Sequence, residues 1–152
     1  MPQNVFKVEY PKKDIPLIII CFSILGILLF FVNLIISILA FLPGIFAICA
    51  DLLFYVQVNG SCIKVRTRSG RKYEFNTSDI EKVNCTIQKT FDAGSFFWFI
   101  ITAKSKELCM ECKMVGFDEM VRYILDKYDD GEIDKHAMTE ECRNELCEYL
   151  YK

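Results

Sequence analysis

Two kinds of side chain in this sequence have the types and spacing to do chemistry. The first is thiol. Cys109-x-x-Cys112 is the close pair used by dithiol oxidoreductases and zinc knuckles, and Cys142, Cys147 and His136 could complete a ligand set. A redox pair opens a helix, whose N-terminus lowers the thiol pKa. Here the alternating pattern around Cys109 and Cys112 predicts a strand, where positions i and i+3 point to opposite faces. Zinc knuckles hold the close pair in a turn, and the spacing of Cys142 and Cys147 is unusual for a metal site. Ordinary packing thiols account for these cysteines better. His136 stands in a charged stretch with no nucleophile fixed beside it, and the sequence has no Gly-rich phosphate loop, HExxH or nucleophile elbow. The chain therefore reads as a non-enzyme, with no catalytic residue, metal or cofactor assigned.

The second kind is charge. Lys64, Arg66 and Arg68 recur at every second residue, so one face of a strand presents all three, and the Ser69-Gly70 turn brings Arg71 and Lys72 close. Such a stripe suits anionic lipid headgroups at the membrane face, or a protein or peptide partner, although solvation of an exposed strand is the plainer explanation. Residues 55–91 hold seven basic and three acidic side chains, whereas residues 92–152 hold eight and fourteen. The short basic stripe on an otherwise acidic domain argues against nucleic acid as a partner. Asp51 closes a long uncharged run, and an acid inside a membrane span is a functional candidate by default. It stands about one helical turn from the end of that run, close enough for its carboxylate to reach the polar boundary.

The elements that must position these groups follow from periodicity. The chain has 152 residues and a formal net charge of −2, yet no charged residue occurs from Ile15 to Ala50. A bilayer core of about 30 Å takes roughly 20 helical residues, so this run predicts a transmembrane helical hairpin over residues 15–54. Its turn is expected near Ser37 to Leu42, with Pro43 in the opening turn of the second span. Lys7, Lys12 and Lys13 precede the run, and Lys64, Arg66, Arg68, Arg71 and Lys72 follow it. By the positive-inside rule both termini are cytoplasmic and the protein is multi-pass in the plasma membrane, an integral two-span partner of the bilayer. The run is too long for a secretory signal, and no small-residue cleavage site follows it.

From Tyr55 the pattern alternates, as half-buried strands do. Tyr55-Val56-Gln57-Val58 meets the hairpin signal Asn59-Gly60, and Cys62 to Thr67, Arg71 to Phe75, Val83 to Lys89, Phe96 to Lys104 and Glu107 to Met114 complete six strands. Phe117, Met120, Val121, Ile124, Leu125 and Tyr128 then form one helical stripe. A second helix is expected from Thr139, its N-cap, to Tyr151. The expected divisions are an N-terminal segment 1–14, the hairpin 15–54, a cytosolic domain 55–130, and a linker with a C-terminal amphipathic helix 131–152.

Arg66-Thr67-Arg68-Ser69-Gly70-Arg71-Lys72-Tyr73-Glu74-Phe75, followed by Ser78-Asp79-Ile80-Glu81-Lys82-Val83, resembles bacterial pleckstrin-homology-like (PH-like) domains. Those join two short strands through a Gly turn and enter the next strand through Asp-Ile-x-x-Val. The likeness covers Tyr55 to Tyr128. With the preceding apolar pair it is similar to small two-span membrane proteins of that type. It implies an α+β fold: an N-terminal two-helix transmembrane hairpin, then a small PH-like β-barrel or sandwich with a C-terminal capping helix. The full fold has seven strands against the six counted, and a small OB-like barrel is the alternative. No reaction or catalytic residue comes with the family. The leading function is then a non-enzymatic, membrane-anchored interaction module at the cytosolic face. Its rivals are a metal- or redox-active subunit using Cys109 and Cys112, and an accessory subunit using Asp51.

Overall fold

The structure, a computed structural model, describes residues 5–30, 34–90 and 94–151. It is α+β, with two antiparallel sheets. Sheet A joins β1 (Val5–Glu9), β2 (Tyr55–Asn59), β3 (Cys62–Arg66) and β4 (Lys72–Asn76) in that order. Sheet B joins β5 (Ile80–Thr90), β6 (Gly94–Ala103) and β7 (Lys106–Glu111). Helices α1 (Ile15–Phe30) and α2 (Leu34–Leu53) lie between β1 and β2; α3 (Phe117–Asp129) and α4 (Glu140–Leu150) follow β7.

The first strand lies outside the span of the sequence likeness. Val5 to Glu9 leave no turn signal, but the chain returns after two helices and pairs Glu9 with Tyr55 and Val5 with Asn59. The alternation of β1 then acquires a meaning: Val8 is fully buried while Val5 is exposed. Sheet A is thereby four strands wide, and the described strands number seven.

The core lies between the inner faces of the two sheets and under α3. Val56, Val58, Ile63, Val65 and Phe75 come from sheet A, and Phe97, Phe99, Ile101, Leu108 and Met110 from sheet B. Phe117 at the start of α3 meets both Phe97 and Phe99 edge-on, with ring centroids 6.2 and 6.3 Å away. Before it, Gly116 has φ +81°, and a Cβ there would stand 2.3 Å from the Lys7 carbonyl oxygen, so only glycine lets β1 pass this close to α3. The expected polar linker is a buried strap instead. Ile133, Ala137 and Met138 are in the core, and the Val83 N–H donates to the Ala137 carbonyl at 2.6 Å. It delivers α4, capped by Thr139, against β5.

The apolar run corrects the largest expectation. Among the described residues no helix is long and apolar enough to cross a membrane. The run does not break at Ser37 to Leu42, which lie within α2; α1 stops at Phe30 and α2 begins at Leu34, residues 31–33 between them being outside the described residues. Helix α1 has 16 residues, about 24 Å of helix against a bilayer core of about 30 Å. In α2 the uncharged part ends at Ala50, Pro43 interrupts its hydrogen-bond ladder, and Asp51 is ion-paired to Arg68 of the β-domain. The transmembrane hairpin, the integral two-span partnering with a bilayer, and the multi-pass plasma-membrane location with both termini cytoplasmic are therefore not supported. What the helices do is pack on each other. Gly26 lies under the Phe41 ring and Gly44 under Phe22, while Leu17, Ile24, Leu28, Ile35, Ile45 and Phe46 remain exposed on the outside.

Candidate functional site: the outer face of sheet A and its junction with the helices

Alternation in sheet A turns Ile63 and Val65 into the core and leaves Lys64 and Arg66 on the opposite, outer face. Register extends that face into two cross-strand rows. One runs Lys7, Gln57, Lys64, Glu74; the other runs Glu9, Tyr55, Arg66, Lys72. Lys7 is bonded to Glu9 and stands 5.3 Å from the centre of the Tyr55 ring. The hydrogen bond from Lys7 holds the Glu9 carboxyl below the usual range against a smaller opposing effect of burial. Among the described residues Lys64, Arg66, Arg71 and Lys72 have no ion-pair partner, although Lys64 is directly opposite Glu74 in register. The Arg66 Nε is shielded from solvent and has no hydrogen-bond acceptor among the described residues.

Arg68 does not join that face. Strand β3 ends at Arg66, and a tight turn follows in which Thr67 N–H donates to the Arg71 carbonyl at 2.9 Å and Gly70 N–H to the Thr67 carbonyl at 2.8 Å. Gly70 takes φ +80° to close the turn. Arg68 is swung toward the helices. Its guanidinium lies 4.4 Å from the centre of the Tyr10 ring and 3.2 Å from Asp51. Two residues singled out separately in the sequence, the strand cation and the helix-end acid, are thus partners of each other.

Tyr10 is the centre of this junction. Its hydroxyl donates to Glu111 Oε1 at 3.2 Å, and its ring meets Phe54 edge-on at 5.4 Å. Glu111 is 6% exposed and is satisfied by Tyr10 and by Lys113 at 2.6 Å, which is what a buried carboxylate requires. Burial first, and then the Glu111 charge, push the Tyr10 hydroxyl well above the ordinary tyrosine value, so it remains a donor. Beside it a cleft of about 240 Å³ opens between β3, β4 and β7, lined by Arg68, Tyr73, Trp98 and Leu108 among others. The indole N–H of Trp98 is shielded there without an acceptor. No signal in the sequence pointed to Tyr10, Glu111 or Trp98 acting together, because they come from three distant segments.

The thiol candidates separate. Cys109 is exposed on β7, whereas Cys112, beyond the end of that strand, packs against the core. Burial, followed by the charges of Glu111 and Glu107, pushes the Cys109 thiol up, the direction opposite to an activated nucleophile. Cys142 is buried and Cys147 half-buried on α4, and His136 is exposed on the strap with its N–H on Asp134 at 2.7 Å. Among the described residues no group of three or more His, Cys, Asp or Glu side chains is arranged to hold a metal ion. Comparison with family models, curated proteins and solved structures gives no match.

Proposed function

We propose that this chain is a non-enzymatic interaction module whose PH-like β-sandwich offers the outer face of sheet A to an acidic protein or peptide segment. Four strands against three, followed by a helix packed over the core, support the PH-like reading. The observation that carries the function is the set Lys64, Arg66 and Lys72, which share an open face and have no ion-pair partner among the described residues. Surface cations on one open face attract carboxylates and can donate to them. Lysine and arginine at such positions act as fixed charges and donors, not as acids or bases near neutral pH, which suits recognition and not turnover.

Binding of a fluorescent glutamate-rich peptide to the full chain tests this. Three surface charges at about 0.2–1 kcal/mol each predict a loss of roughly three- to 150-fold in the Lys64→Gln, Arg66→Gln, Lys72→Gln triple variant. Wild-type binding should weaken steeply with salt, and the variant should keep the wild-type unfolding midpoint. Equal peptide binding by both proteins defeats the reading. Binding to anionic phospholipid vesicles without binding to the peptide moves the ligand from acidic protein to lipid headgroups.

A further inference from the structure

The structure assigns a modification site to Cys85 and Cys142, which we infer join as an intramolecular disulfide when the chain meets a hydroperoxide. Cys85 is on β5 and Cys142 on α4, 57 positions apart in sequence, yet their sulfurs are 2.8 Å apart. That is closer than two unbonded sulfurs ordinarily approach and within about 1 Å of a disulfide bond length of about 2.0 Å. Glu145, one helical turn after Cys142, places Oε2 3.0 Å from the Cys85 sulfur. The buried strap holds both partners in place, since Val83 and Met138 form a parallel bridge two residues before Cys85 and four before Cys142. None of the other six cysteines has a sulfur–sulfur contact among the described residues.

The roles of the two sulfurs follow from their surroundings. Cys142 is in the first turn of α4, where its own N–H donates to the Thr139 hydroxyl at 3.2 Å and the helix N-terminus favours negative charge. The hydrogen bond from Cys85 holds the Cys142 thiol below its ordinary value, and the same bond, then burial and then Glu145, push Cys85 up. Cys142 is therefore the attacking thiolate. It attacks hydrogen peroxide: a new S–O bond forms, the O–O bond breaks, and the departing hydroxide takes a proton from solvent and leaves as water. Cys85 then attacks the sulfenic sulfur of Cys142, its proton passes through Glu145 to the departing hydroxyl, and a second water leaves. Two thiols are oxidised by two electrons, and the peroxide is reduced to two waters. The product fastens α4 and its strap covalently to the edge of sheet B.

Reduced full-length protein, treated with one equivalent of hydrogen peroxide, alkylated and digested, reads this out by mass. The first cross-link should be Cys85–Cys142, because the partners are already held together for the second step. In Cys85→Ala the second step is lost, so Cys142 should stop as a sulfenic acid that dimedone labels. Glu145→Gln should slow the cross-link and leave dimedone labelling of Cys142 intact. In the oxidised wild type, amide exchange through α4 should fall. A first disulfide between other cysteines, or no Cys85–Cys142 cross-link in the oxidised wild type, overturns the assignment.

Discussion

Strand β1 is the element on which closure of the β-domain turns, and Val8→Ala tests it. Val8 is fully buried in the middle of β1, opposite Val56, whereas Val5 on the same strand is 60% exposed. Truncation at Val8 removes two buried methyl groups, about 1.6 kcal/mol of transfer free energy at about 0.8 kcal/mol each. The cavity left behind adds to this, because Gly116 and Lys7 hold the neighbouring backbone against relaxation. Loss of a β-branched side chain from a strand adds a few tenths more. The expected total is about 2–3 kcal/mol for Val8→Ala and under about 0.5 kcal/mol for Val5→Ala. With a urea slope of about 1–3 kcal/mol/M, the midpoint of Val8→Ala should fall by roughly 1 M. Trp98, the only tryptophan in the chain, lies on β6 across the sandwich and reports unfolding by its fluorescence. Equal small shifts in the two variants would show that β1 is not part of the cooperative unit, and the four-stranded sheet A would be refuted.

The other two predictions come from backbone strain and from titration. Gly116→Ala should destabilise the fold by more than the ~1–2 kcal/mol of a left-handed alanine, because its Cβ meets the Lys7 carbonyl at 2.3 Å; an unchanged melting temperature in calorimetry would contradict that approach. Asp79 accepts from Lys104 and from the Asn76 N–H, each at 2.8 Å, and those bonds, Lys104 first, hold its carboxyl below the usual range. A depressed folded pKa contributes stability above the unfolded value that is lost as pH falls through the folded one. Asp79→Asn should therefore unfold at lower urea than wild type at pH 7, and the gap should close as pH drops below the ordinary aspartate range. A gap that persists unchanged at pH 2 would exclude this origin.

Much of the β-domain was legible because its signals are local. Alternation at Ile63 and Val65, the Asn59-Gly60 turn, the stripe from Phe117 to Tyr128 and the Thr139 cap each arise from neighbours a few residues apart, and each stands where the periodicity put it. The face shared by Lys64, Arg66 and Lys72 follows from the same two-residue period once β3 and β4 are registered. Arg68 was misassigned because the period was carried two residues past the point where the turn ends the strand.

The sequence by itself determined the six strands from Tyr55 onward and the helices α3 and α4, since those choices depend on side-chain period and backbone preference within a few residues. It also determined that Ile15 to Ala50 is uncharged and that its described parts form helices. It did not determine that Ser37, Pro43 and Gly44, each an acceptable place for a turn, lie inside α2, where Gly44 packs under Phe22 and Phe41 lies over Gly26. Only the tertiary structure decided that Val5 to Glu9 pair with Tyr55 to Asn59 across the two helices, that Arg68 meets Asp51 over Tyr10, and that Cys85 meets Cys142. Each joins residues more than a dozen positions apart, where chain connectivity leaves many partners open. The choice among them is made by the burial of Val8, Glu111 and Ile133 in one shared core.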